Sequence, residues 1–331
     1  MLKIDIKKLS NMKKIIIIGG GAMGSAFTIP CAENNNKVTI TEPYSERFIK
    51  DLSSKNKFHS ALNIKLPKKI KFRKFSKDLL KEKFDLIVIA LSLSGIDFIG
   101  KELKNLKIKT PILVLTKGLK YEKKSNRILT ISEQLKKNYS GMNISVLKGP
   151  CLAKELAEKN HTSVVIANKN INVAKSIGRL ISTKYYITEY SKDIIGVEVC
   201  SAIKNIYAMI IGAGQSLNAA SNLFQKSIIE MMYLTKYFKG KDETVSGLAG
   251  VGDLYVSAAG GRNSKMGSYL GKGFTFKTAK KKFMPKDTVE GEQLAREIAP
   301  FILKKIDEKN IPLMINLLRT IINNKKLKIK V

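Results

Sequence analysis

Four consecutive isoleucines, Ile15 to Ile18, run directly into Gly19-Gly20-Gly21-Ala22-Met23-Gly24 and then into a segment that reads as a helix, Ala22–Glu33. An unbroken apolar run of β-branched residues favours a strand covered on both faces, as in a parallel sheet. Strand, glycine turn and helix in immediate succession near the start of a chain form the opening unit of a doubly wound α/β domain. The glycines have separate tasks. Gly19 permits the turn, Gly21 lets a pyrophosphate approach the backbone, and Gly24 lets the helix pack on the strand. The helix start then offers unpaired N–H groups to phosphate. Pro30 predicts that this helix kinks or ends early.

Lys37–Thr41 reads as a second short strand, and Phe84–Ala90 and Pro111–Leu115 as continuous apolar strands with a helix around Ile96–Leu106 between them. Further β-like runs lie at Ile144–Leu147, Thr162–Ala167 and Tyr185–Glu189. From Ile194 the texture changes to long helical patterns at 194–213, 219–238, 288–306 and 311–322. The expected fold class is α/β, an N-terminal Rossmann-type doubly wound sheet followed by an all-α C-terminal domain. Residues 1–12 are set apart as an extension, with Met12 as an alternative start. The dinucleotide-binding domain is placed at 13–193 and the helical substrate and catalytic domain at 194–331. The Lys-rich tail at 325–330 is expected to be solvated.

A length of 331 residues fits two domains of roughly 100–200 residues each. No apolar run reaches the roughly 18–20 residues of a membrane span, so no transmembrane segment is expected. Three widely spaced cysteines, Cys31, Cys151 and Cys200, argue against a disulfide framework. With only His59 and His161 besides, no metal site is expected. Both histidines read as ordinary surface or packing residues, and the compartment as reducing and cytoplasmic. The net charge of +33 comes almost entirely from lysines spread along the chain, with only seven arginines. That pattern reads as compositional bias, and no specific nucleic-acid partner is expected.

Glu42 ends the second strand, 18 residues after Gly24. An acid there accepts hydrogen bonds from ribose hydroxyls and repels a 2′-phosphate, so NAD(H) is the preferred cofactor. Arg47 lies five positions on and keeps NADP(H) open as a second cofactor.

Chemistry-bearing residues gather later in the chain. Lys204, with the adjacent amide Asn205, sits in an otherwise apolar helical segment. Asp253 follows the glycine-rich run Gly247-Leu248-Ala249-Gly250-Val251-Gly252, and Arg262-Asn263 follow Gly260-Gly261. These supply a proton donor, a carboxylate to hold it and an anion clamp, a set suited to reducing a small phosphorylated carbonyl compound.

At these positions the chain resembles the NAD(P)-dependent glycerol-3-phosphate dehydrogenase family. The resemblance also runs through Leu115-Thr116-Lys117-Gly118-Leu119, Lys148-Gly149-Pro150, Gly196-Val197-Glu198 and Val289-Glu290-Gly291, in order from residue 13 to about 300. It implies reduction of dihydroxyacetone phosphate to sn-glycerol 3-phosphate for glycerophospholipid synthesis. By resemblance, Lys204 is the general acid/base, Lys117 a second active-site lysine and Asp253 the carboxylate that orients the lysine. Burial beside a second cation lowers a lysine pKa, which Asp253 opposes. Substrate contacts implied by the family fall on Lys117, Gly149, Cys151, Asn205, Ser257, Gly261, Arg262 and Asn263. Cofactor contacts fall on Gly19, Gly21, Ala22, Met23, Gly24, Glu42, Lys117, Ala153, Arg262 and Glu290. A homodimer is a family-based expectation.

The chain departs from the family pattern in several places. Cys151 replaces a hydroxyl after Gly149-Pro150. Ser92-Leu93 stands where Pro-Ser is usual, Met23 where an aromatic residue is frequent, and Glu42-Pro43 where a basic residue is linked to NADP. The alternative is a related two-domain dehydrogenase of another small keto compound, 2-ketopantoate-like or opine-like. The Gly-Gly-Arg-Asn run after Gly-Asp-Leu favours a phosphate ester over it.

Overall fold

Ile15–Ile18 have no solvent exposure at all, because the strand they form lies inside a sheet. The computed structural model describes residues 12–54 and 56–329, so the proposed extension lies outside them save for Met12. The chain divides into two compact units.

The first unit comprises Met1–Thr116, Ser132–Leu147 and Cys151–Lys192. Its strands are β1 (Lys14–Ile18), β2 (Lys37–Thr41), the hairpin β3–β4 (Phe58–His59 and Ile64–Lys65), β5 (Lys71–Phe72), β6 (Leu86–Ile89) and β7 (Ile112–Val114). A second hairpin, β8–β9 (Leu119–Glu122 and Arg127–Thr130), comes next in the chain, then β10 (Ile144–Lys148), β11 (Thr162–Ala167) and β12 (Tyr186–Ser191). Eight of these form one sheet in the order β12-β11-β10-β7-β6-β1-β2-β5. β1 pairs in parallel with β2, Ile15 opposite Val38, and with β6, Ile15 opposite Leu86. The β6–β7, β7–β10, β2–β5 and β11–β12 pairs are parallel too. Helices cover the sheet: α1 (Ala22–Glu33), α2 (Glu46–Ser54), α3 (Lys77–Lys81), α4 (Ile96–Asn105), α5 (Ile131–Asn138), α6 (Ala153–Ala157) and α7 (Ile171–Ile181).

α1 runs through Pro30 to Glu33, against the expected early end. Pro30 stands in the last turn, where its missing N–H removes a single bond near the helix end. Its carbonyl accepts from the Asn34 N–H at 3.2 Å and from Asn34 Nδ2 at 3.1 Å, which closes the helix.

The second unit comprises Lys117–Ile131, Lys148–Pro150 and Asp193–Val331. The β8–β9 hairpin and the Lys148-Gly149-Pro150 turn group with the helical unit, although they lie within the 13–193 stretch of the chain. The hairpin is held there by Glu297, which accepts from the Tyr121 N–H at 2.9 Å. Short strands inside an α/β pattern give no sequence signal for such a transfer, because only the partner surface decides it.

The centre of the unit is α8 (Ile194–Gly212), buried along nearly its whole length. Asp193 caps it, accepting from the Gly196 N–H at 2.9 Å. Around it pack α9 (Leu217–Tyr237), α10 (Asp253–Ala258), α11 (Arg262–Gly271), α13 (Glu290–Lys305) and α14 (Pro312–Ile322), while α12 (Phe276–Phe283) packs on α11. The α8–α11 crossing is close: a Cβ on Gly267 would lie 1.9 Å from the Met209 carbonyl oxygen. α8 is long and apolar enough to cross a membrane by length and composition alone. It carries Glu198 and Lys204 and is 89% buried within the protein, as befits a helix that is apolar all round because it is the core.

Candidate active site

Lys204 stands on α8, one residue before Asn205, and only 6% of it is exposed. Asp253, the first residue of α10, is 3% exposed. Lys204 Nζ donates to Asp253 Oδ1 at 2.7 Å, and Lys117 Nζ donates to Asp253 Oδ2 at 2.5 Å. Lys117 also donates to the Gly149 carbonyl at 3.3 Å, and Lys204 to Ser257 Oγ. The second unit therefore brings together Lys117, Gly149, Lys204, Asp253 and Ser257 around one carboxylate.

The local sequence explains the placement. Leu248–Gly252 form a single π-helical turn ahead of α10. A Cβ on Gly250 would lie 2.1 Å from the Val245 carbonyl oxygen, so only glycine lets the turn close. The turn delivers Asp253 to the buried face of α8. Burial pushes the Lys204 pKa down to about 8; Lys117 adds to that depression, while Asp253 and then Glu290 oppose it.

A third lysine in this cluster escaped the sequence reading as a site residue. Lys148 ends β10 and is 2% exposed. Burial lowers its pKa to about 7, with Glu198 of α8 opposing, Lys117 assisting and Asp253 opposing. Glu198 is itself buried. The available signal was a lysine closing the otherwise apolar run Ile144-Ser145-Val146-Leu147, but in a chain so rich in lysine it did not stand out.

Arg262 and Asn263, the expected anion clamp, each have partners within the protein. Arg262 donates to Glu290, and both side chains are about half exposed. The two residues were expected to bind ligands separately; as an ion pair, each occupies part of the other's capacity. Asn263 is buried: Nδ2 donates to Asn205 Oδ1 at 3.1 Å, and Oδ1 accepts from the Gly291 N–H at 2.8 Å. Gly291 closes the Val289-Glu290-Gly291 motif. A Cβ there would lie 2.6 Å from the Asn205 carbonyl oxygen, so glycine is needed for α13 to approach α8. Gly261 precedes α11 as its N-cap.

The glycine turn lies in the first unit, as do Cys151 and Ala153, the latter opening α6. Gly19 has φ +118°, and a Cβ there would lie 2.5 Å from the Ala90 carbonyl oxygen. A Cβ on Gly24 would lie 2.0 Å from the Gly19 carbonyl oxygen, so Gly24 is what lets α1 pack against the turn. Gly21 is exposed with nothing within 4 Å of a Cβ, which leaves its surface open. Ala22 and Met23 form the first turn of α1. This exposed backbone at a helix start fits a pyrophosphate. Glu42 braces the turn, accepting from the Gly20 N–H at 2.9 Å and from the Tyr44 N–H at 3.0 Å. Arg47 is exposed on α2.

His161 is exposed, but His59 is 2% exposed and bonded to the glycine turn. That gives a histidine read as ordinary packing a more specific place.

Models of the NAD-dependent glycerol-3-phosphate dehydrogenase N-terminus and C-terminus match residues 14–174 and 193–331. The NADP(+)-dependent glycerol-3-phosphate dehydrogenase of Archaeoglobus fulgidus is 31% identical over 280 residues, covering 80% of this chain and 82% of that protein. A glycerol-3-phosphate dehydrogenase [NAD(P)+] of Clostridium botulinum is 32% identical over 271 residues, covering 79% of this chain and 80% of that one. The crystal structure of glycerol-3-phosphate dehydrogenase from Coxiella burnetii superposes with a TM-score of 0.83 at 26% identity, covering 95% of this chain and 96% of that one. The chain belongs to the NAD-dependent glycerol-3-phosphate dehydrogenase family.

Proposed function

We propose that this protein reduces dihydroxyacetone phosphate to sn-glycerol 3-phosphate with NAD(P)H, reversibly, in the supply of glycerophospholipid synthesis. The observation that carries the reading is the buried Asp253 carboxylate shared by Lys204 and Lys117, in a chain matched over both halves by the family. When bound, a nicotinamide cofactor would supply the hydride that the carbonyl carbon takes up. Lys204, as an ammonium, gives a proton to the carbonyl oxygen as that oxygen gains charge, and is reprotonated from solvent. Asp253 orients the Lys204 ammonium and holds Lys117 beside it. Lys117 adds positive charge where the oxyanion develops. Ser257 fixes the Lys204 rotamer. Arg262 takes the substrate phosphate when it is released from Glu290, and Asn205, fixed by Asn263, completes the polar wall. Gly149, Gly261 and Cys151 are assigned to the substrate by family resemblance.

On the cofactor side, Gly19, Gly21, Ala22, Met23 and Gly24 form the pyrophosphate turn, and Glu42 favours NAD(H) through the adenine ribose. Ala153, Lys117, Arg262 and Glu290 are proposed as further cofactor contacts. The three cysteines are free thiols, which supports a cytoplasmic location. A homodimer and the lack of a specific nucleic-acid partner are part of the same proposal. The alternative, a reductase of a non-phosphorylated keto compound, is disfavoured by the match to the family over both halves.

The test is oxidation of NADH and of NADPH with dihydroxyacetone phosphate, beside 2-ketopantoate and pyruvate. Turnover with dihydroxyacetone phosphate alone supports the proposal. Turnover only with a keto acid overturns the substrate assignment.

A further inference from the structure

His59 ends β3, and its ring packs edge-on against Phe48 of α2, with centroids 5.7 Å apart. The ring has two polar neighbours. The Leu62 N–H lies 3.3 Å from Nδ1, and the Gly20 carbonyl oxygen lies 3.3 Å from Nε2. A backbone N–H can only donate, so Nδ1 must be unprotonated to accept it. The ring proton of the neutral imidazole then sits on Nε2, facing an oxygen that can only accept. Burial depresses the pKa of the ring, which favours this neutral form; the Gly20 carbonyl and the His59 backbone oppose the depression. The tautomer is therefore dictated by the backbone on either side.

Both backbone groups of Gly20 are held. Its carbonyl accepts from His59 and from Ser25 Oγ at 2.7 Å, and its N–H donates to Glu42. A carbonyl oxygen has two lone pairs, and these two donors use both. The peptide joining Gly20 to Gly21 is planar and trans, so its C=O and N–H point in opposite directions. Holding the Gly20 carbonyl inward aims the Gly21 N–H outward, and Gly21 is the exposed residue of the turn.

We propose that His59 is a positioning residue for cofactor binding: as the Nε2–H tautomer it holds the Gly20 carbonyl so that the Gly21 N–H is presented to the pyrophosphate. The inference rests on the reading of Gly19–Gly24 as the cofactor turn. It separates two jobs of one ring, holding the β3–β4 loop through Nδ1 and setting the turn through Nε2.

Two substitutions separate those jobs. His59→Asn places an acceptor where Nδ1 stands, so the Leu62 N–H keeps a partner, but the side chain stops short of Gly20. His59→Gln reaches the Gly20 carbonyl with a donor. NADH binding is followed by cofactor fluorescence, and kcat and the KM for dihydroxyacetone phosphate by steady-state rates. Loss of one hydrogen bond predicts that His59→Asn weakens NADH binding about five-fold to ten-fold, while His59→Gln stays within about two-fold of the unaltered protein. In His59→Asn, kcat at saturating NADH stays within about two-fold, because the residue touches no reacting atom. NADH binding by His59→Asn equal to that of the unaltered protein overturns the proposal, as does an equal loss in both variants. Failure of the unaltered protein to bind NADH overturns the cofactor reading itself and this inference with it.

A measurement on the unaltered protein guards against a variant that does not fold. With two histidines in the chain, ¹⁵N–¹H correlation spectra distinguish the ring nitrogens directly. A bare Nδ1 and a protonated Nε2 on His59 support the proposal. A proton on Nδ1 overturns it.

Discussion

Lys204 and Lys117 hold opposite oxygens of the same carboxylate, at 2.7 Å on Asp253 Oδ1 and 2.5 Å on Oδ2. Two ammonium groups on one buried acid leave the cluster with excess positive charge, and Lys148 with its partner Glu198 does not remove that excess. A lysine in such a place gives up its proton far more readily than one in water. Burial first, and the neighbouring Lys117 ammonium second, bring a residue with an ordinary pKa of 10.5 to about 8.

The pH dependence follows from that value. Reduction requires Lys204 protonated, so kcat for dihydroxyacetone phosphate reduction is expected to be level below about 8 and to fall as pH rises through about 8. Oxidation of glycerol 3-phosphate requires the neutral amine, so its kcat rises through the same region. The apparent value belongs to the coupled Lys204–Lys117–Asp253 set. Profiles of both directions check this; limbs running the same way would contradict it.

Asp253→Asn removes the group that raises the Lys204 pKa. The alkaline limb for reduction is expected to move below about 8, and kcat to fall by about 10²-fold or more as the proton donor loses its orientation. A limb displaced to higher pH would show that Asp253 is not the dominant partner.

The Arg262–Glu290 pair predicts opposite effects for two changes. Arg262→Lys loses the paired donors of a guanidinium and raises the KM for dihydroxyacetone phosphate about ten-fold. Glu290→Gln frees the guanidinium and lowers that KM, while removing an influence that raises the Lys204 pKa. Steady-state rates with each variant read both effects, and a higher KM in Glu290→Gln would mean that Glu290 helps the substrate rather than competing with it.

Glu42 acts through charge and through the turn it braces. Glu42→Gln keeps an acceptor for the Gly20 N–H and removes the repulsion felt by a 2′-phosphate. The ratio of NADPH to NADH efficiency is expected to rise about ten-fold, equivalent to about 1.4 kcal/mol. An unchanged ratio would detach Glu42 from cofactor choice.

Much of this architecture is legible along the chain because it is local. Ile15–Ile18 announce a buried strand, the glycine spacing announces the turn, and the Ile194–Gly212 helix starts at a capping aspartate where the domain texture changes. What escaped depends on contacts distant in sequence. Nothing near Leu119 foretells a hairpin that joins the helical unit through Glu297. Lys148 is one of many lysines until folding buries it against Glu198 and Lys117. His59 gains its place from Gly20, 39 residues earlier. Pro30 misled in the other direction: the rule against proline in helices weakens in a last turn whose end is closed by Asn34.

The central claim is that Lys204 moves a proton rather than holding the cofactor, and Lys204→Ala tests it most directly when turnover and NADH binding are measured on the same preparation. The account predicts that kcat for dihydroxyacetone phosphate reduction drops by about 10²–10⁴-fold, with the NADH dissociation constant within about two-fold of the unaltered protein. Parallel loss of NADH affinity and turnover, or turnover that survives the substitution, would contradict it.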